Sequence, residues 1–552
     1  MSLTLIHISY LNFYYSICLI RIRLILCFTF RSVHNIILLF YAMKSAVIGI
    51  IIAGISMKVG KQLSQHDTPL YTGLKKHATT NPVQFHIPGH KKGAGMDPEF
   101  RAFIGDNALS IDLINIEPLD DLHSPRGMIK DAQELAAEAF GADHTFFSIQ
   151  GTSGAIMTMV MTVCGPGDKI IVPRNVHKSI MSAIVFSGAV PVFIHPEIDK
   201  ELGISHGITP ESAKKALTKH PDAKGLLVIN PTYFGISADL KTIVEIAHSY
   251  DVPVLVDEAH GVHIHFHDEL PLSAMQAGAD MAATSVHKLG GSLTQSSILN
   301  IKEGLVSKDR VQSILSMLTT TSTSYLLLAS LDVARKRLAT EGKALADEAI
   351  RLAESARTRL NEIEGITCIG QEILGSPSTY DYDPTKLIIS IKDLGLNGHD
   401  VEKWLRESYR IEVELSDLYN ILCIVTPGDC DETIDTLVTA MKEIAATSTR
   451  QGGKQAVTEV LLPEIPSLAM TPRDAFYATT EVIPFKEAAG RIIAEFVMVY
   501  PPGIPIFIPG EIITEENISY IFKNIEIGLP VQGPEDSTLD MIRVIKEQKA
   551  IL

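Results

Sequence analysis

The sequence predicts an α/β protein with a large, mostly parallel-sheet domain, a smaller α+β domain and a C-terminal α+β domain. Three observations carry this. From about residue 140 to 300, short β-branched or apolar runs alternate with amphipathic stretches. Polar signatures follow those runs, where open parallel sheets bind ligands. Beyond them come a long charged helical zone and a return to mixed strands and helices.

Taken in order, residues 57–125 form a polar segment leading into the core. The large domain is expected over 126–330, with strands at 145–149, 169–172, 190–194, 225–229, 252–256 and 281–285. The stretches 210–219 and 241–249 carry apolar residues at helical spacing between them. The small domain, 331–446, opens within a helical zone at 325–363, apolar on one face and charged on the other. The polar, glycine-containing TSTRQGGKQ marks a linker, placed at 447–462, before a last unit at 463–552.

Composition narrows the class. The 552 residues carry 48 Lys+Arg against 64 Asp+Glu, a formal charge of −16, which argues against a general nucleic-acid binder. Six cysteines exclude a disulfide scaffold at this length, and Cys164, Cys368, Cys423 and Cys430 read as small apolar residues of a reducing compartment. The charge is uneven. Residues 1–56 hold four basic and no acidic residues, and the remainder is net −20. This apolar leader is expected to be extraneous, from a start assigned too far upstream of Met57. A membrane anchor is the alternative, since the uncharged run 2–20 approaches spanning length. A signal peptide fits less well, because the leader lacks a basic n-region and a clear cleavage site.

The chemistry is read from strand ends. Asp257 ends the apolar PVLVD, and Lys288 follows TSVH after the next run. A pyridoxal phosphate site needs such a pair: an amine that binds the cofactor covalently and a carboxylate that keeps its ring nitrogen protonated. Alone, the pair is more often a structural ion pair. The Gly151-Thr152-Ser153-Gly154 stretch, between a strand and an apolar helical run, offers N–H groups and hydroxyls to an anion. Ser285 and His287 flank Lys288 and extend that cradle, and His177 stands where an imidazole can stack on a planar ring. His260, His263, His265 and His267 alternate as on one strand face, a pattern that can bind zinc. No acidic or Cys partner sits at ligand spacing, so no metal is expected, and His260 is better used beside Asp257.

DEAHG followed by SVHK resembles the fold-type I pyridoxal phosphate enzymes. FHIPGHKKG (85–93), EPLDDLHSPRG (117–127) and YPPGIPIFIPGE (500–511), with GTSG, RNVHKS and NPTYFG, narrow the resemblance to the Orn/Lys/Arg decarboxylase family, from about residue 66 onward. Within it, the likeness is greatest to the shorter, bacillus-type biosynthetic branch. The leader has no counterpart in the family pattern.

The resemblance implies pyridoxal 5'-phosphate as cofactor. Lys288 is implied as its covalent anchor, Asp257 as the ring-nitrogen partner and His177 as the stacking group. Thr152, Ser153, Ser285 and His287 are implied at the phosphate, and His260 close to ring and substrate. The hydroxyl run 319–324 resembles the stretch that reaches a neighbouring subunit's cofactor, so a homodimer or larger homo-oligomer is expected. The implied reaction is decarboxylation of a basic amino acid: arginine to agmatine and CO2 for polyamine synthesis, with lysine or ornithine as alternatives and an aminotransferase as the more distant one. The expected location is the cytoplasm, without a membrane partner unless the leader is retained. A cationic side chain needs a carboxylate away from the ring. Glu511, at the end of a Pro/Gly-rich loop, is the candidate, although it also suits a helix cap; Asp120 and Asp121 are the alternatives.

Overall fold

In the computed structural model, which describes residues 63–448, 463–499, 504–526 and 529–546, the alternating runs of the first half become one seven-stranded sheet. The chain divides into two units, 1–64 and 65–552, and the second is described here. The leader at 1–56 and most of the linker lie outside the described residues.

The sheet strands are β1 (His144–Ser148), β2 (Lys169–Pro173), β3 (Val190–Ile194), β4 (Gly225–Ile229), β5 (Val254–Asp257), β6 (Met281–Thr284) and β7 (Ser297–Ile301). Their order across the sheet is β1-β7-β6-β5-β4-β2-β3. Strands β3, β2, β4, β5 and β6 pair in parallel, and β7 pairs antiparallel with both β6 and β1. Ile170, Leu227, Leu255 and Leu299 are fully buried on one side, and Ile171, Leu226, Val228, Val254 and Val256 on the other. That two-sided burial is why the strands read as continuous apolar runs. Register sets Ile229 beside Asp257 and Asp257 beside Ala283, so the carboxyl ends of β4, β5 and β6 are level.

Helices cover both faces. α1 (Pro69–Thr80) and α2 (Met128–Phe140) share a core with Phe147, Val262 and Leu328. α3 (Gly151–Val163) and α4 (Lys178–Ser187) pack with Ile170 and Leu255. α5 (Tyr325–Asn361) runs 37 residues, about 55 Å at the usual rise. Its first half, with Leu328 and Leu338, joins the core that holds α1 and α2. Its second half, with Leu352 and Leu360, packs on an antiparallel four-stranded sheet. One helix thus belongs to two cores. Its buried Asp332 pairs with Arg335 at 2.6 Å and accepts the N–H groups of Leu70 and Tyr71, which open α1. That satisfies first-turn donors with no intrahelical partner.

The four-stranded sheet comprises β8 (Thr367–Cys368), β9 (Lys386–Ser390), β10 (Leu415–Ser416) and β11 (Asn420–Ile424), in the order β8-β9-β11-β10. Residues 463–546 add two small sheets and a helix, Glu515–Glu526, around Phe485, Phe507 and Ile521. Ile508 leaves that core and is buried with Ile170, Ile180 and Met181 of the large sheet's cluster. Among the described residues, no helix is long and apolar enough to cross a membrane.

Candidate active site

Eight sequence-predicted residues, Thr152, Ser153, His177, Asp257, His260, Ser285, His287 and Lys288, lie at or just after the carboxyl ends of strands, where an open parallel sheet binds its ligands. Asp257 is the last residue of β5 and is 6% exposed. Its side chain accepts one hydrogen bond among the described residues, from the Ala259 N–H at 3.2 Å. Burial pushes its carboxyl up to about 6, opposed by that hydrogen bond and by the charge on Lys288. Lys288 sits in a short helix, Val286–Leu289, directly after β6. Burial lowers its pKa, and Asp257 and Glu414 act against that fall. Its Nζ lies 2.7 Å from Nε2 of buried His260. Burial, then the charges of Lys386 and Lys288, hold that imidazole well below its ordinary pKa. A neutral ring can accept the Lys288 N–H at Nε2, which fixes where the amine points.

The anion cradle lies at the N-terminus of α3. Gly151 takes φ +69, a left-handed turn that a side chain would strain. Thr152 Oγ1 hydrogen-bonds Ser285 Oγ after β6 and Ser297 Oγ at 2.9 Å on β7. Ser153 is half-buried in the same first turn, whose N–H groups have no intrahelical partner. His287 turns Nδ1 to the Ser296 carbonyl at 2.9 Å, which leaves Nε2 as its second polar atom. His177 caps α4, accepting the Ser179 N–H at 3.2 Å, and its Nδ1 is 2.8 Å from Ser179 Oγ. Burial lowers its pKa, with Lys288 the next cause, so its ring is close enough to feel that amine. A phosphate suits the hydroxyl and N–H cluster, and a planar ring with a basic nitrogen suits Asp257 and His177.

Three expectations are corrected. Glu511 does not join this cluster. It is 1% exposed, and Arg174 takes both its oxygens, Nη1 on Oε1 at 2.6 Å and Nη2 on Oε2 at 2.8 Å. The Ile508 N–H adds a third hydrogen bond, so the carboxylate is committed inside the protein. Asp120 organises its own loop, with both oxygens on backbone N–H groups of residues 121, 126, 127, 129 and 130; Asp121 takes the His123 N–H. The histidines of HGVHIHFH lie in a turn and a 3₁₀ segment, Ile264–Phe266, instead of a strand. They diverge, His263 to Asp383, His265 to Ser273 and His267 to Asp347. Gly261 permits that turn, since a Cβ there would stand 2.7 Å from Glu258 Cγ and 2.8 Å from Pro231 Cδ. Among the described residues, no group of three His, Cys, Asp or Glu is placed to hold a metal.

Sequence reasoning missed four residues around Lys288 and His260. Tyr233, after β4, sets its ring centre 4.3 Å from that of His260 with the two planes tilted at 54°, and Lys288 Nζ lies 5.8 Å from its centre. Its hydroxyl donates to Glu414. Asp383 accepts from Thr385 at 2.6 Å and pairs with His263 at 2.9 Å. Lys386 opens β9 fully buried, and its Nζ has no hydrogen-bond partner among the described residues. Only NPTYFG carried a signal for any of them.

Burial lowers Lys386 to about 8, although Asp383 and Glu414 pull upward. A folded pKa below the unfolded value near 10.5 means the penalty is fully present below pH 8 and disappears as pH rises toward 10.5. Lys386→Met is therefore expected to stabilise the fold at pH 7 by on the order of 3 kcal/mol. Urea midpoints of both proteins across pH 7 to 10 should converge with rising pH. A constant gap would contradict the shift.

Comparison with known proteins agrees with this geometry. Residues 68–433 match the family model described as Orn/Lys/Arg decarboxylase, major domain, and residues 454–528 match that family's C-terminal domain. The chain is 83% identical to the arginine decarboxylase of Bacillus subtilis over 489 residues, 89% of this chain and 100% of that protein. It is 73% identical to the arginine decarboxylase of Bacillus anthracis, over 89% of this chain and 99% of that one. Among solved structures, the lysine decarboxylases of Francisella novicida and Pseudomonas aeruginosa superpose with TM-scores of 0.75 and 0.74 at 24% identity. Each alignment covers 87% of this chain, and 81% and 80% of theirs respectively. At that identity they show the fold.

Proposed function

Because the chain belongs to the Orn/Lys/Arg decarboxylase family, we propose that it decarboxylates L-arginine to agmatine and CO2 with pyridoxal 5'-phosphate, in the service of polyamine synthesis. The observation that carries this is the convergence of Lys288, Asp257 and the Thr152–Ser285–Ser297 hydroxyls at the carboxyl end of one sheet. Near-full-length relatives named arginine decarboxylase support the choice of substrate.

When bound, the cofactor supplies an electron sink for the pair released as the C–C bond to the carboxylate breaks. The chain's residues do the rest. Lys288 would anchor the cofactor covalently, and its lowered pKa favours the neutral, nucleophilic amine. Asp257 holds the ring-nitrogen proton from a buried position where its charge is poorly screened. His177 covers one ring face. Thr152, Ser153, Ser285 and His287 hold the phosphate. His260 aligns the Lys288 amine. The reading extends to a cytoplasmic homo-oligomer in which the run 319–324 approaches a neighbouring subunit's site, and to the domain limits expected from the sequence.

Incubating the purified chain with the cofactor and labelled arginine, lysine or ornithine tests this. Agmatine and CO2 should form, with kcat/KM for arginine ~10²-fold above the others. A preference for lysine would overturn the substrate, and formation of a keto acid would overturn the reaction type.

A further inference from the structure

Lys386 carries a buried charge without a partner. It is 1% exposed, and its Nζ has no hydrogen bond among the described residues, an arrangement that costs stability. We propose that Lys386 is a positioning residue for the reaction: its ammonium keeps a second proton off His260, so that the ring stays an acceptor for the Lys288 amine. This rests on the reading of the chain as a decarboxylase anchored at Lys288.

Two contacts bring Lys386 to that ring. Residues 260–263 and the turn 383–386 are joined by His263 Nε2, 2.9 Å from Asp383 Oδ2. His260 stands three residues before His263, and Lys386 three after Asp383. The Lys386 N–H closes its turn on the Asp383 carbonyl at 3.1 Å. From the other side, the Lys386 stem lies against Gly235, where a Cβ would stand 2.5 Å from Lys386 Cγ and 3.2 Å from Asp383 Cβ. Gly235 follows Tyr233 by two residues, and the Tyr233 ring centre is 4.3 Å from that of His260.

The polar atoms agree with this role. With Nε2 accepting from Lys288, the single ring proton sits on Nδ1. An imidazolium carries a proton on both nitrogens and cannot accept at either. After burial, Lys386 is the largest cause opposing that state, ahead of Lys288; His263 opposes it too, and Asp383 favours it. Lys386 in turn faces Asp383, Glu414 and Lys288, and Lys288 faces Asp257 and Glu414. Lys386 keeps its proton up to about 8, so it is charged across the acid range in which a histidine ordinarily gains one.

Lys386→Met is the test, in the full chain with histidine Cε1 labelled for NMR and the His260 signal identified by its loss in His260→Asn. We expect the His260 midpoint to rise by about one to two pH units in Lys386→Met. The acid limb of kcat/KM for decarboxylation should rise by the same amount. The two profiles should converge above pH 8, where wild-type Lys386 has lost its own proton. In the His260→Asn background, Lys386→Met should leave the acid limb where it is. A ring midpoint within about 0.3 pH unit of wild type overturns the proposal. So does a limb that stays in place, or one that moves equally without His260, which would mean that the charge acts on Lys288 directly. Absence of CO2 release from wild type would overturn the decarboxylase reading alone, since the ring titration still decides whether Lys386 governs His260.

Discussion

Lys288→Ala is expected to lower decarboxylation on the order of 10³-fold or more and to remove the absorbance of cofactor bound to the lysine. Three placements make this amine hard to replace. It follows β6 directly, its Nζ is oriented by His260 at 2.7 Å, and it is close enough to Asp257 for each to shift the other's pKa. An alanine leaves no nucleophile at that point. The Thr152, Ser285 and Ser297 cluster stays intact, so the variant should still bind the cofactor without a covalent link. Absorbance spectra, dialysis and product analysis separate the steps. Decarboxylation at more than a tenth of the wild-type rate would remove Lys288 from its assigned role.

That residue was legible in the sequence because its signals are local. Asp257 and Lys288 each end a short apolar run, and the strands that carry them are neighbours in the sheet. Five of the seven strands begin within one residue of their expected start, and β5 begins two residues later. β7 was missed. It begins with Ser297, follows the Lys288 loop closely and runs antiparallel, so nothing in an alternating strand–helix pattern calls for it. The histidine run misled for the opposite reason. Its period of two matches a strand, but Gly261 lets the chain turn beneath Glu258 and Pro231, and packing decides the conformation.

What sequence could not supply was long-range pairing. Tyr233 meets Glu414 across 181 positions and His263 meets Asp383 across 120. No local pattern marks Glu414, Asp383 or Lys386 as belonging beside Lys288 and His260, because the sheet of β8 to β11 brings them there. The same limit explains the misplaced substrate carboxylate. The Pro/Gly-rich stretch suggested a presented Glu511, but its partner Arg174 lies 337 positions away.

That pair carries the second large prediction. Arg174 and Glu511 are each 1% exposed. The Arg174 guanidinium also donates to the Pro505 and Ile506 carbonyls and lies 4.6 Å from the centre of the Phe193 ring. Removing one partner leaves the other charge buried and uncompensated, which costs about 3–5 kcal/mol. Glu511→Gln is therefore expected to lower the first thermal transition and to make residues 463–546 more open to protease. Replacing both, as Arg174→Met with Glu511→Gln, should cost less than the single change, because no bare charge remains; the Pro505 and Ile506 carbonyls still lose a donor. Activity should fall in step with the folded fraction, since Arg174 stands three residues before His177 and ties residues 505–511 to the end of β2. The opposite pattern, unchanged stability with a raised KM for arginine alone, would return Glu511 to the substrate.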